Sequence, residues 1–249
     1  MSADLVFCLP HAGGGSHQYL SWTATLDEVF TWVPLEYPGH FTRDEEPCYG
    51  SFTDAVAGLV EEIEKQAVGR RIGLFGHSMG GSLAYEVGRL LSARRRVVLD
   101  ALVISSAEPP SASPAARQRY FELGDEELLE HLENLGGVRS SLLARSFLAE
   151  TLPLIRSDYR LHHSYRPDAD ASIDVPLHVC YGSDEAMTKQ RVPAWRRHAS
   201  APVTFHRFDG GHFYWQSNPM PLTGTLREIF GRGPEPSDGT EMRGPSCPR

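Results

Sequence analysis

Gly76-His77-Ser78-Met79-Gly80 sets a serine between two glycines, with the apolar run "IGLF" in front of it and a helix-compatible run to Leu91 behind it. A serine hydroxyl is a weak nucleophile at neutral pH and needs an adjacent general base. A G-x-S-x-G pentapeptide between a strand and a helix makes the sharp turn that pushes such a hydroxyl out of the backbone. Its flanks must be glycine because a side chain there would strike neighbouring main chain. Ser78 is therefore the candidate nucleophile.

The base should lie downstream, with an acid between the two. Among the 11 histidines, His212 stands in the glycine-flanked loop "DGGHFYW", after the apparent strand "PVTFHRF" and before the last helical segment. His131, His162, His163, His178, His198 and His206 read as ordinary surface or core residues. The acid should end a strand, where it can hold the imidazole tautomer and stabilise its cation. Asp184, in "HVCYGSDEAM", follows the strand that reaches Tyr181 and is the expected partner. Glu185 is adjacent but less well placed, and Glu108, after "ALVISS", is the reserve. Asp100 and Asp174 precede their strands and fall at the wrong edge.

Attack on a carbonyl also needs two N–H donors for the oxyanion. One is expected from Met79, the residue after the nucleophile. The other should come from the loop "PHAGGG", with Ala12 the first choice and Gly13 the next. That loop fits neither GxGxxG nor GxxxxGK[ST], which argues against phosphate cradling. His11 and His17 flank it with no assignable role.

These residues need a scaffold that gathers them at one edge. Strand-like runs "DLVFCLP", "FTWVPLEY", "RIGLFG", "VVLDALVISS", "VPLHVCYG" and "PVTFHRF" alternate with helical patterns over Ser16 to Glu28, Ser51 to Ala67, Ser78 onward, Lys189 to His198 and "LTGTLREIF". Ser51 is a credible N-cap with Asp54 at the three-residue offset. Such alternation predicts an α/β fold, a mainly parallel central sheet with helices on both faces. The interval of about 109–167 lacks strand signals but carries leucine-rich helices, one closing at Gly136-Gly137, and reads as a helical lid insertion. One domain over 1–230 is expected, followed by a disordered tail over 231–249 that is rich in Gly, Pro and charge.

With 249 residues, 41% hydrophobic and 22% charged, the chain has an ordinary globular composition. A formal charge of −8 argues against general nucleic-acid binding, and Arg94-Arg95-Arg96 reads as a basic helix end. The four cysteines form no CxxC pair, so neither a disulfide framework nor a zinc site is expected. Neither a signal peptide nor a spanning run is evident, which predicts a cytoplasmic protein.

The motifs "FCLPHAGGG", "LEYPGH" with Arg43 following, "LFGHSMGG", "LGG" after an acidic leucine-rich helix, "LPLIRSDYRLHHSYR" and "GGHFYW" resemble the type II thioesterases of polyketide and nonribosomal peptide biosynthesis, within the α/β-hydrolase superfamily. The resemblance runs from about Leu5 to Phe230. It implies hydrolysis of acyl groups from phosphopantetheinyl carrier proteins by a triad of Ser78, Asp184 and His212, with the lid gating an acyl pocket. It also implies acyl or peptidyl carrier domains and small acyl thioesters as partners, and no cofactor or metal of its own. A monomer is expected, without nucleic-acid or membrane partners. One departure is "GSDEAMT", where the family usually shows an Asp-Pro or similar acidic cluster followed by a small apolar residue. Acyl transfer, cyclisation, product release and noncatalytic carrier binding remain open alternatives on this scaffold.

Overall fold

A computed structural model describes residues 3–112, 119–136, 142–185 and 191–231. Strands β1 (Leu5–Leu9), β2 (Thr31–Pro34), β3 (Arg71–His77), β4 (Val98–Ser105), β5 (Leu177–Gly182) and β6 (Val203–Phe208) form one sheet in the order β2-β1-β3-β4-β5-β6. Every adjacent pair is parallel. The helices are α1 (Thr23–Leu26), α2 (Phe52–Ala67), α3 (Met79–Arg94), α4 (Asp125–Asn134), α5 (Leu142–Ser164) and α6 (Met220–Gly231).

Alternation along the strands divides the interior into two layers. Leu5, Phe7 and Leu9 of β1 join Leu59, Ile63, Leu83 and Val87 of α2 and α3 on one side of the sheet. Val6 and Cys8 join Trp22, Trp32, Trp215 and Phe230 on the other. Both sides of β1 are thus buried, as its continuous apolar sequence requires. The expected α/β architecture is the one observed, and Cys8 and Cys180 are buried free thiols in its core.

Strand order reverses between β1 and β3: β2 lies beyond β1 on one side, while β4, β5 and β6 continue on the other. In an open parallel sheet such a reversal leaves a crevice at the carboxyl ends of the strands. "PHAGGG" leaves β1 and Ser78 leaves β3 at that crevice.

Two expected helices differ in form. The segment beginning at Ser16 folds as 3₁₀ turns over Ser16–Gln18 and Leu20–Trp22 before α1. The tighter turn suits buried Tyr19 and Trp22, three residues apart, whose rings meet at 5.2 Å. The segment expected over Lys189 to His198 is a 3₁₀ helix at Val192–His198 with Pro193 at its start, and its first two expected residues lie outside the described ones. Ser51 does cap α2: its Oγ accepts the Asp54 N–H at 3.1 Å.

Within 109–167 the described residues form α4, α5 and a 3₁₀ turn, and include no strand. Leu128, Leu129, Leu148, Leu152 and Ile155 make a third cluster, separate from the two sheet layers. Gly136 takes a left-handed φ of 79° after α4, and Gly137 lies outside the described residues. So do the side chains of Leu142, Leu143 and Phe147, the tail expected over 231–249 apart from Gly231, and Cys247.

Candidate active site

Ser78 occupies the turn between β3 and α3 with φ 56° and ψ −118°, a strained conformation for a residue bearing a Cβ. Its neighbours hold it there. The Ser78 N–H donates to Ser105 O at 2.8 Å, and the Ser78 carbonyl accepts the Gly81 N–H at 2.9 Å. A Cβ on Gly76 would overlap the Gly80 carbonyl, and one on Gly80 would overlap the Leu9 carbonyl. The flanking glycines therefore let β1, β3 and α3 close together around the serine, which itself remains half-buried.

His212 follows β6 in the loop at the same edge, its ring centred 5.0 Å from that of His77. Its carboxylate partner is Glu185: Oε1 lies 2.6 Å from His212 Nδ1. Glu185 Oε2 accepts from Ser106 Oγ at 2.9 Å and from the Gly182 N–H at 3.2 Å. Burial pushes the Glu185 carboxyl up, but the His212 hydrogen bond and charge, Ser106 and the Gly182 amide together hold it below its ordinary value.

The expected acid, Asp184, does not reach the histidine. Gly182, the last residue of β5, and the three residues after it turn back on themselves, with the Glu185 N–H directed to Gly182 O and the Asp184 N–H donating to Gly210 O at 2.9 Å. This turn leaves Asp184 exposed, its Oδ1 accepting from Ser183 Oγ at 2.9 Å, and returns Glu185 toward the loop of His212. "GSDE" is itself a turn-forming tetrapeptide whose first and last residues approach each other, a signal that favours the fourth residue over the third. Glu108 pairs with Arg191 and, with Glu185 and His212, lines a cavity at this edge.

Because Nδ1 donates to Glu185, His212 keeps an Nε2 lone pair available as base. Among the described residues Ser78 Oγ forms no hydrogen bond to His212, so this contact is one the reaction must make.

The oxyanion candidates can be sorted by what already engages their amides. In the loop after β1, the Gly13 N–H donates to Asp158 Oδ2 at 2.7 Å and the Gly14 N–H to His11 O at 2.9 Å. The Gly15 N–H donates to Gln18 Oε1 and the Ser16 N–H to Glu36 Oε1, each at 3.2 Å. The Ala12 N–H, like that of His11 before it, takes part in no hydrogen bond among the described residues, and Ala12 is the loop candidate that stays available. The Met79 N–H, at the first position of α3, is similarly unengaged. Gly13, the second choice, is thereby removed from the list, and Ala12 and Met79 remain.

His11 is buried, with Nδ1 at 3.0 Å from Tyr19 Oη and its ring edge-on to Phe213. Burial, then the charges of His212 and His17, lower its pKa to about 3, so it is a neutral wall of the site. His77 is also kept neutral, by burial and then by His212 and His11, while its Nδ1 pairs with Ser105 Oγ at 2.8 Å. His17 is exposed and packs against Phe41.

The Thioesterase domain family matches residues 5–231. The chain belongs to that thioesterase family. Thioesterase PikA5 of Streptomyces venezuelae is 32% identical over 215 residues, which cover 86% of this chain and 76% of the relative. Among solved structures, the RedJ thioesterase of the prodiginine pathway in Streptomyces coelicolor superposes with a TM-score of 0.84 at 26% identity, covering 91% of this chain and 86% of that one. The type II thioesterase BorB from the borrelidin biosynthetic cluster gives 0.80 at 30% identity, covering 92% and 93%.

In this thioesterase the helical insertion comes close to the site. His131 of α4 stacks on Tyr120 at 3.8 Å. Its pKa is lowered by burial first and by the charge of His212 second, and Asp158 of α5 accepts the Gly13 N–H of the loop that carries Ala12. No helix among the described residues is long and apolar enough to cross a membrane.

Proposed function

We propose that this protein is a type II, editing thioesterase that hydrolyses acyl groups from the phosphopantetheine thiol of carrier proteins. Ser78 is the nucleophile, His212 the general base and acid, Glu185 the carboxylate that orients it, and Met79 and Ala12 the oxyanion donors. The observation that carries this reading is the Glu185–His212 contact at 2.6 Å, at the strand edge from which the strained Ser78 projects.

Ser78 Oγ attacks the thioester carbonyl as its proton passes to His212 Nε2. The imidazolium is stabilised by Glu185, and the carbonyl oxygen takes up negative charge against the two amides. Collapse breaks the C–S bond, and the departing pantetheine sulfur takes the proton from His212. Water then attacks the Ser78 ester, giving a proton to His212. The second collapse frees the acid and returns that proton to Ser78 Oγ. Water is the sole co-reactant.

The relatives' names support an assembly-line setting, and the α4–α5 insertion, which touches Gly13 through Asp158 and Ile155, is suited to cover an acyl chain. A panel of acyl-carrier proteins and acyl-CoAs tests the reading. Wild type should release free acid and holo-carrier, with carrier-bound acyl groups preferred over acyl-CoA, while Ser78→Ala releases none. Equal release by both proteins, or none by wild type, contradicts it.

A further inference from the structure

The loop that carries Ala12 is held by a helix more than a hundred residues away. Asp158 of α5 is almost fully buried, with its side chain 3% exposed, and one carboxylate oxygen serves two donors. Oδ2 lies 2.7 Å from the Gly13 N and 2.9 Å from His40 Nε2. His40, in the "YPGH" turn after β2, directs its other nitrogen, Nδ1, at Pro38 O at 3.0 Å. A carbonyl only accepts, so Nδ1 carries a proton. Nε2 faces a carboxylate oxygen that also only accepts when ionised, so it carries one too. The pair is therefore an imidazolium and a carboxylate, closed off from solvent.

The same turn of α5 also contacts Gly13 sterically. Gly13 has φ 71°, and the space a Cβ would occupy is filled by Ile155 Cγ1, one helical turn before Asp158. Gly13 is thus clamped by Ile155 against its α-carbon and Asp158 on its amide. The preceding peptide is the one whose N–H, that of Ala12, stays unengaged.

We propose that Asp158 is a positioning residue for the oxyanion hole. Through the Gly13 amide it fixes the direction of the Ala12 N–H, while the His40 cation cancels the carboxylate's charge, which would otherwise oppose the nearby oxyanion. This rests on the thioesterase reading above and adds that α5 of the insertion is part of the catalytic scaffold as well as part of the cover.

The test compares a ligand that forms an oxyanion with one that does not. A trifluoromethyl ketone analogue of acyl-pantetheine reacts with Ser78. The Oγ–C bond forms, the ketone oxygen becomes the anion, and the Ser78 proton moves to His212. The corresponding thioether binds without reacting. In Asp158→Leu, which keeps much of the side-chain bulk and removes the acceptor for the Gly13 N–H, kcat should fall by about 10- to 100-fold, somewhat less than outright loss of an oxyanion donor. KM should change less than about threefold, and ketone affinity should fall with kcat while thioether affinity holds.

If Asp158→Leu lacks a cooperative unfolding transition, His40→Gln carries the same comparison. It leaves the Gly13 contact but strips the compensating cation, and the same selective loss of ketone affinity is expected. Equal losses for ketone and thioether, or none for either, overturn the proposal while leaving the thioesterase reading intact. A wild-type protein that neither hydrolyses thioesters nor binds the ketone overturns the reading first, and this proposal with it.

Discussion

Glu185 Oε1 lies 2.6 Å from His212 Nδ1, and the other carboxylate oxygen is fixed by Ser106 and the Gly182 amide. The base is therefore oriented by a carboxylate that is itself oriented. Replacing the carboxylate by an amide presents an N–H to Nδ1 and drives the proton to Nε2, the wrong tautomer for accepting from Ser78. Glu185→Gln should lower kcat by about 10³- to 10⁴-fold. Asp184→Asn, on the exposed side of the same turn, should stay within about twofold, and steady-state hydrolysis of one acyl-pantetheine substrate measures both.

The contrast between these two neighbours marks how far the sequence is legible. Ser78 and His212 are readable because their local sequence carries the geometry: glycines permit the tight elbow, and "DGGH" puts a histidine just past a strand. The alternating strands likewise announce the parallel sheet. Asp184 and Glu185 differ by one step around a four-residue turn, and which of them faces inward depends on the Gly210 carbonyl, supplied by another loop. Asp158 is less visible still, since its partners Gly13 and His40 are separated from it by 145 and 118 positions. No local pattern encodes such a contact.

The His40–Asp158 pair should make stability depend on pH at the alkaline side. Burial lowers the His40 pKa, but the Asp158 hydrogen bond and charge, with smaller help from Pro38 O and Glu36, outweigh it and leave the value above 6.5. A group raised in the folded state contributes fully below its unfolded pKa and loses that contribution as pH rises through the folded one. Asp158→Ala, which strands a buried cation, should cost roughly 3–5 kcal/mol near pH 6. The gap between wild type and variant in urea unfolding should narrow above the folded His40 pKa.

At the acid side, His11 and His77 have the opposite sign. Both are held neutral in the folded chain, His11 down to about 3, so the unfolded chain binds protons first once pH drops below about 6.5. Stability should fall as pH falls, with these two histidines contributing a slope of up to roughly 2.7 kcal/mol per pH unit. Glu185, whose carboxyl is lowered, adds to the loss below its unfolded value of 4.5. Urea unfolding at several pH values gives the proton uptake, and His11→Gln should reduce it by about one proton between pH 4 and 6.

The insertion has its own apolar cluster, so a cavity there should be felt locally. Leu128 is fully buried against Leu129, Leu152 and Ile155. Leu128→Ala should cost about 2–5 kcal/mol in the unit that contains it. Hydrogen exchange should then speed up for the amides of α4 while those of β3 and β4 keep their protection. Uniform acceleration throughout the sheet would mean that the insertion and the sheet open as one unit.

The most direct test of the catalytic assignment is intact-protein mass spectrometry of the thioesterase mixed with an acyl-loaded carrier protein and stopped at short times. The account predicts that the carrier loses the mass of its acyl group and that a transient adduct of that mass maps to Ser78. The adduct should form far more slowly in Glu185→Gln, whose His212 cannot take the Ser78 proton, and be absent in Ser78→Ala. Deacylation of the carrier that persists in Ser78→Ala, or an adduct that maps to another residue, would contradict it.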